Sequence, residues 1–148
     1  MNYKKILFAT DFSPASDAAL HYATAMARDS GARLLILHVE EMPVPYAAGE
    51  MVMPAPLYPN PEVRRMLEEV VPDDPSVRYE HHLVQGSPAE EIASVAHQQA
   101  VDLLVMGTHG RTGIRRVLMG SVAEAVMRHA DCPVLTLKQG SRVPSMSG

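Results

Sequence analysis

Short, continuous apolar runs alternate along this chain with amphipathic segments that open on a small polar residue and a proline. Residues 3–9 (YKKILFA), 33–39 (RLLILHV) and 101–107 (VDLLVMG) are too short for buried helices and too uniformly apolar for strands with one wet face. They predict strands covered on both sides. Residues 77–84 (VRYEHHLV) alternate imperfectly and suit a strand nearer an edge, and residues 132–137 (CPVLTL) supply a fifth. Between them, Ser13 as cap and Pro14 at the first helical position open a helix whose Ala15, Ala19, Tyr22, Ala23 and Met26 share one face. Gly31 is its natural stop.

Residues 40–61 carry six prolines and no period, which predicts a long surface loop. Pro61 then starts a short helix that Pro72 and Pro75 end. Ser87, Pro88 and Glu90 have the spacing of a capped helix start with a reciprocal box, and Ser121 with Glu124 repeats it, ahead of Val122, Ala125 and Val126 on one face. Strands that alternate with helices imply an α/β fold. The expectation is a single doubly wound, Rossmann-like five-stranded parallel sheet, order 3-2-1-4-5, with helices on both faces. One domain over residues 1–148 is expected, with a variable proline-rich loop at about 40–61 and a flexible tail from about 139. In such sheets a ligand sits beyond the carboxyl ends of the strands, where the winding reverses.

Composition narrows the function. A net charge of −4 argues against a general nucleic-acid binder, so any anion site must be local. The single cysteine, Cys132, cannot form an internal disulfide; with no base beside it, it reads as a buried or inert thiol. The apolar segment near the N-terminus is too short for a secretory signal, and no run approaches the roughly 18 to 20 apolar residues of a membrane helix. A cytoplasmic protein without membrane insertion is expected.

The stretch GTHGRTGIRRVLMGS, residues 107–121, holds Gly107, Gly110, Gly113 and Gly120 with Arg111, Arg115 and Arg116 and no carboxylate. It fits neither the P-loop nor the Gly-x-Gly-x-x-Gly dinucleotide fingerprint in any register. What remains is Gly-x-x-Gly, nine residues, Gly-Ser. Two readings of it stand. Glycines that turn successive N–H groups toward an anion, followed by a helix start at Ser121, make a phosphate cradle. A tight turn and a capped helix account for the same residues. Asp11 likewise either hydrogen-bonds a sugar or base, or helps hold a metal on phosphates, or shapes the turn before Ser13. Val39 ends its strand where backbone groups can meet a base edge. His109 has the chemistry to contact a phosphate, or is an ordinary loop residue. His38, His81 and His82 do not make a metal set, because adjacent strand residues face opposite ways.

The segments KKILFATDFSPAS, LILHV, GSPAEEI and DLLVMGTHGRTGIRRVLMGSVAEAVMRHADCPVLTLK occur in that order, and on them the chain resembles the universal stress proteins. The likeness spans nearly the whole chain apart from residues 40–75 and the tail. The glycine pattern is similar to that of the family's nucleotide-binding branch, whose fold is adenine nucleotide alpha hydrolase-like. The resemblance implies ATP, with Mg or Mn bridging the phosphates. It implies that Gly107, Thr108, His109, Gly110, Arg111 and Gly113 wrap the ribose and phosphates, and that Gly120, Ser121 and Val122 hold phosphate. Thr10, Asp11 and the Val39 backbone would address the adenosine end. Ala9 stands where nucleotide binders often have proline, a change that a backbone contact survives.

The function so implied is a nucleotide-dependent stress-response or regulatory binding module, with an unidentified regulatory protein partner and a homodimer paired through Val134, Leu135, Thr136 and Leu137. No catalytic residue is assigned: nothing in the motif is an evident positioner of water, so at most slow ATP hydrolysis is expected. A dimeric interaction module without nucleotide is the first alternative, and the intact glycine pattern argues against it. An enzyme acting on the ATP phosphates is the second, and it would need an acceptor pocket, for which residues 40–61 are the candidate wall.

Overall fold

The computed structural model describes residues 2–41, 47–48, 51–52, 59–108 and 120–142. The described elements run β1 (Lys5–Ala9), α1 (Pro14–Ser30), β2 (Arg33–Glu40), β3 (Ala47–Ala48), β4 (Met51–Val52), α2 (Pro61–Glu68), β5 (Tyr79–Gln85), α3 (Pro88–Gln98), β6 (Leu103–Gly107), α4 (Ser121–His129) and β7 (Val134–Leu137). Five strands form one parallel sheet in the order β5-β2-β1-β6-β7, the expected 3-2-1-4-5 arrangement. The order reverses between β1 and β6. Residues 40–61 were expected to form only a loop, yet Glu40 closes β2, and β3 pairs with β4 in a two-strand antiparallel ladder, Ala47 opposite Val52. Glu40 escaped the hydrophobic pattern because it is a buried charged residue on an otherwise apolar strand.

Alternation of side chains splits the sheet into two dry faces. Phe8, Leu34, Ile36 and Val105 pack against Ala19, Ala23 and Ala27 of α1 and Leu67 of α2. Leu7, Leu35, Leu37 and Leu104 pack against Ile92 and Val95 of α3 and Ala123 and Val126 of α4. Each fully buried Leu, Ile or Phe contributes about 1.5–3 kcal/mol of burial free energy, so the covered central strands anchor the fold. The alanine face of α1 lets that helix lie close to the sheet. A Cβ on Gly107 would approach Ala15 Cβ to 2.9 Å, which is why a glycine ends β6.

The helix boundaries follow from local chemistry. Ser13 caps α1, its side chain accepting the Ser16 N–H, and Gly31 ends the helix at φ 75°, where a residue without Cβ is at ease. Ser87 occupies the cap position of α3, but its side chain makes no cap bond, and the expected Ser87–Glu90 box does not close. The acid that turns back toward this helix start is Glu91, whose carboxylate lies against Gly86. At α4 the cap is Gly120, not Ser121, which becomes the first helical residue. A glycine has no side chain to satisfy the first-turn amides. This shift by one position matters for the site.

Candidate functional site

A cavity of about 560 Å³ opens at the carboxyl ends of β1, β2 and β6, where the strand order reverses. Its size falls within the range of small-molecule sites. Ala9, Thr10, Asp11, Val39, Gly107, Thr108, Gly120, Ser121 and Val122, all singled out from the sequence, line it. His109, Gly110, Arg111 and Gly113 lie outside the described residues, as do Arg115 and Arg116.

One wall is the start of α4. Glu124 N–H is the first to enter the helical ladder, bonding Gly120 C=O. The N–H groups of Ser121, Val122 and Ala123 have no partner among the described residues, and all three residues line the cavity. First-turn amides without a side-chain cap, at the positive end of a helix dipole, have the chemistry to receive an anion. Opposite lies the sheet edge that carries residues 107 and 108. Thr108 donates its N–H to Leu137 C=O at 2.8 Å, and Gly120 N–H donates to Thr108 C=O. These two bonds fix both ends of the glycine-rich stretch to the sheet.

A second wall comes from unequal strand lengths. The β1 ladder with β2 ends at Ala9 and Leu37, with one further bond from Thr10 N–H to Leu37 C=O at 2.9 Å. Along β2, Arg33 and Leu37 turn their backbone groups toward β1, whereas Leu34 and Glu40 turn theirs toward β5. By this alternation Val39 faces the β1 side, where β1 has already departed. Its N–H and C=O therefore have no ladder partner among the described residues, and they lie at the cavity. An extended residue that presents a donor and an acceptor side by side matches the edge of an adenine, which offers a ring nitrogen acceptor and an amino donor.

Asp11 shapes the turn before Ser13, one of the roles its sequence position allowed, and it also lines the cavity. Its Oδ1 accepts Ser13 N–H at 3.0 Å and Ser16 Oγ–H at 2.7 Å, which shapes the turn into α1. Its Oδ2 has no partner among the described residues, and Asp11 lines the cavity. Sequence reasoning missed His38, Glu40, Phe12, Val63 and Met66, which complete the lining on the α1 and α2 side. The signal available for His38 was its place in LHVE at the end of a buried strand. Glu40 is buried and accepts the N–H of Asn60, the residue that caps α2.

The remaining candidates are structural. His81 Nε2 donates to Val70 C=O at 2.7 Å and His82 pairs with Glu80, so the two adjacent histidines go to different neighbours. Among the described residues no three acidic, imidazole or thiol groups gather as a metal site. Burial first, and the charge of Asp131 second, push the Cys132 thiol pKa up, away from the thiolate form. No helix among the described residues is long and apolar enough to cross a membrane.

A doubly wound parallel sheet with a cavity at its switch point, rimmed by the start of α4 and the end of β2, defines a Rossmann-like α/β protein. Residues 2–138 match the universal stress protein family, and the chain belongs to that family. It is 35% identical over 147 residues to universal stress protein MJ0531 of Methanocaldococcus jannaschii, an alignment covering 93% of this chain and 83% of the relative. The fold is similar to universal stress protein UspA from Lactobacillus plantarum, with a TM-score of 0.74 and 25% identity over 93% of this chain and 99% of that one. It is also similar to a universal stress protein in complex with cAMP, with a TM-score of 0.69 and 25% identity over 95% of this chain and all of that one.

Proposed function

We propose that this chain binds an adenine nucleotide, ATP in particular, and acts as a nucleotide-dependent stress-response or regulatory binding module of the cytoplasm. The observation that carries the reading is that one cavity joins the amides of Ser121, Val122 and Ala123 to the strand edge at Val39, none of which has a partner among the described residues. The first suits phosphate oxygens and the second suits a base. Asp11 follows β1, which lies between β2 and β6 in the sheet, and suits the ribose hydroxyls through its Oδ2, which has no partner among the described residues. The structural relative in complex with cAMP supports the same ligand class. The triphosphate rests on the resemblance of the Gly-x-x-Gly, nine residues, Gly-Ser pattern to that of the family's nucleotide-binding branch, on which His109, Gly110, Arg111 and Gly113 complete the proposed contacts.

Mg or Mn fits this site as an ion held chiefly by the phosphates, since the described residues contain no side-chain cluster to hold one alone. When bound it would neutralise phosphate charge. The chain's own part is to orient the base, to receive phosphate on the α4 amides and to exclude water on the apolar Ile92 and Met106 wall. None of the residues on the cavity wall is assigned as a catalytic base. Hydrolysis, where it occurs, is slow on this reading. A second copy of the chain pairs along β7, and a regulatory protein reads the nucleotide state.

The test is direct. Heat-denature the purified protein and analyse the released small molecules, then titrate the emptied, refolded chain with ATP and magnesium by calorimetry. Released adenine nucleotide, or saturable ATP binding, is the expected result. No nucleotide and no binding would overturn the reading, and rapid turnover to ADP or AMP would replace it with an enzyme acting on the phosphates.

A further inference from the structure

The open edge at Val39 needs a cause. In a parallel ladder, a residue that donates its N–H to one position accepts, through its own C=O, the N–H two positions further on. Thr10 donates to Leu37, so its carbonyl is due to accept from Val39. That bond is not made. The Thr10 carbonyl is bonded instead to His38 Nδ1 at 2.7 Å. A carbonyl can only accept, so the imidazole carries its proton on Nδ1 and donates it.

Two further observations concern the same rung. The His38 ring lies against Phe12, with ring centroids 4.4 Å apart and planes inclined by 36°. Phe12 sits at φ 65°, a left-handed conformation that costs a bulky residue of order 1 kcal/mol or more unless its surroundings hold it. Phe12 N–H also bonds back to Thr10 Oγ1 at 3.0 Å. The chain is thus turned out of the ladder directly after Thr10, and the acceptor it leaves behind is occupied by a side chain rather than by the neighbouring strand.

We propose that His38 is a positioning residue for the base site: by taking the Thr10 carbonyl it keeps that carbonyl from pairing with Val39 N–H, and so holds the Val39 N–H available to the ligand. This rests on the reading of the cavity as an adenine-nucleotide site. His38 itself need not touch the base. Its role is to stop the sheet from closing one rung too far.

The experiment uses the full chain with two substitutions. His38→Leu removes the donor; His38→Asn restores one on the same γ-branch position. Without ligand, amide hydrogen exchange resolved by NMR should show Val39 exchanging much faster than Leu37 in the wild type. The gap should shrink in His38→Leu and return in His38→Asn. With ligand, ATP is compared with 1-deazaadenosine triphosphate, which keeps the 6-amino group but lacks the ring-nitrogen acceptor for the Val39 N–H. The wild type should prefer ATP by about tenfold, the worth of one well-placed hydrogen bond. His38→Leu should lose that preference while keeping its affinity for tripolyphosphate, and His38→Asn should regain it. A Val39 amide as protected as Leu37 in the wild type overturns the proposal without any variant. So does a His38→Leu chain whose Val39 exchange and nucleotide preference are unchanged. Failure of the wild type to bind either triphosphate instead overturns the nucleotide reading, and the exchange data alone then decide what His38 does to the ladder.

Discussion

Gly107 and Ala15 meet where β6 ends and α1 begins. Any Cβ at position 107 would stand 2.9 Å from Ala15 Cβ and 3.0 Å from its carbonyl carbon, and one of those atoms is backbone. Gly107→Ala should therefore destabilise the protein by roughly 1–3 kcal/mol, read as a lower urea midpoint at unchanged slope. Asp102 offers a second test at this scale. Its carboxylate accepts the N–H of Lys4 at 2.8 Å and of Lys5 at 3.0 Å, which hold its pKa below the usual carboxylate value. The stability it supplies is in full above about pH 4, the unfolded-state pKa, and falls away as pH drops through the lower folded value. Asp102→Asn should lower the urea midpoint at pH 7, and the difference from wild type should close in acid. The glycine was visible in the sequence, whereas its reason was not: Ala15 lies far away in sequence and reaches position 107 only through the fold. Asp102 was invisible for the same cause, since its partners sit at the other end of the chain.

Among the elements, α4 separates a reading of spacing from a reading of geometry. Ser121 and Glu124 have the box spacing, but the helix starts one residue earlier than that box requires, and a glycine takes the cap. Gly120 has φ −70° and ψ 157°, a conformation open to other residues. Gly120→Asp should cap the helix and raise the melting temperature of the ligand-free protein by a small amount, since an acidic cap outperforms glycine by a few tenths of a kcal/mol. The same carboxylate would compete with phosphate for the amides. ATP affinity should then fall by more than about tenfold, measured by calorimetry. Unchanged affinity would remove α4 from the phosphate site. The strands were legible wherever burial on two faces wrote a continuous apolar run. The end of β2 was less so, because His38 and Glu40 are polar residues placed by the cavity rather than by the core.

For the whole molecule, strand alternation with helices implied the sheet and the position of its crevice, and the strand order agrees. The assembly depends on the edge. Among the described residues β7 is flanked on one side only, by β6. Leu104 N–H bonds Pro133 C=O and Thr108 N–H bonds Leu137 C=O, so odd-numbered residues of β7 face inward, and Val134 and Thr136 turn their backbone groups outward. An open edge of this kind is either protected or paired. On the homodimer proposal, Thr136→Pro removes an outward N–H without touching the inner ladder. Sedimentation should show a dimer for the wild type and a monomer with unchanged far-ultraviolet circular dichroism for the variant. A wild-type monomer would reject pairing through β7.

The bonds that tie Thr108 to Leu137 and Gly120 to Thr108 bring the two ends of residues 109–119 together at the rim of the sheet. A closed base separates the length of what it carries from the stability of what it stands on. On the nucleotide reading, substitutions between positions 109 and 119 should alter ligand affinity, while the Thr108 and Gly120 bonds keep the start of α4 tied to the sheet edge.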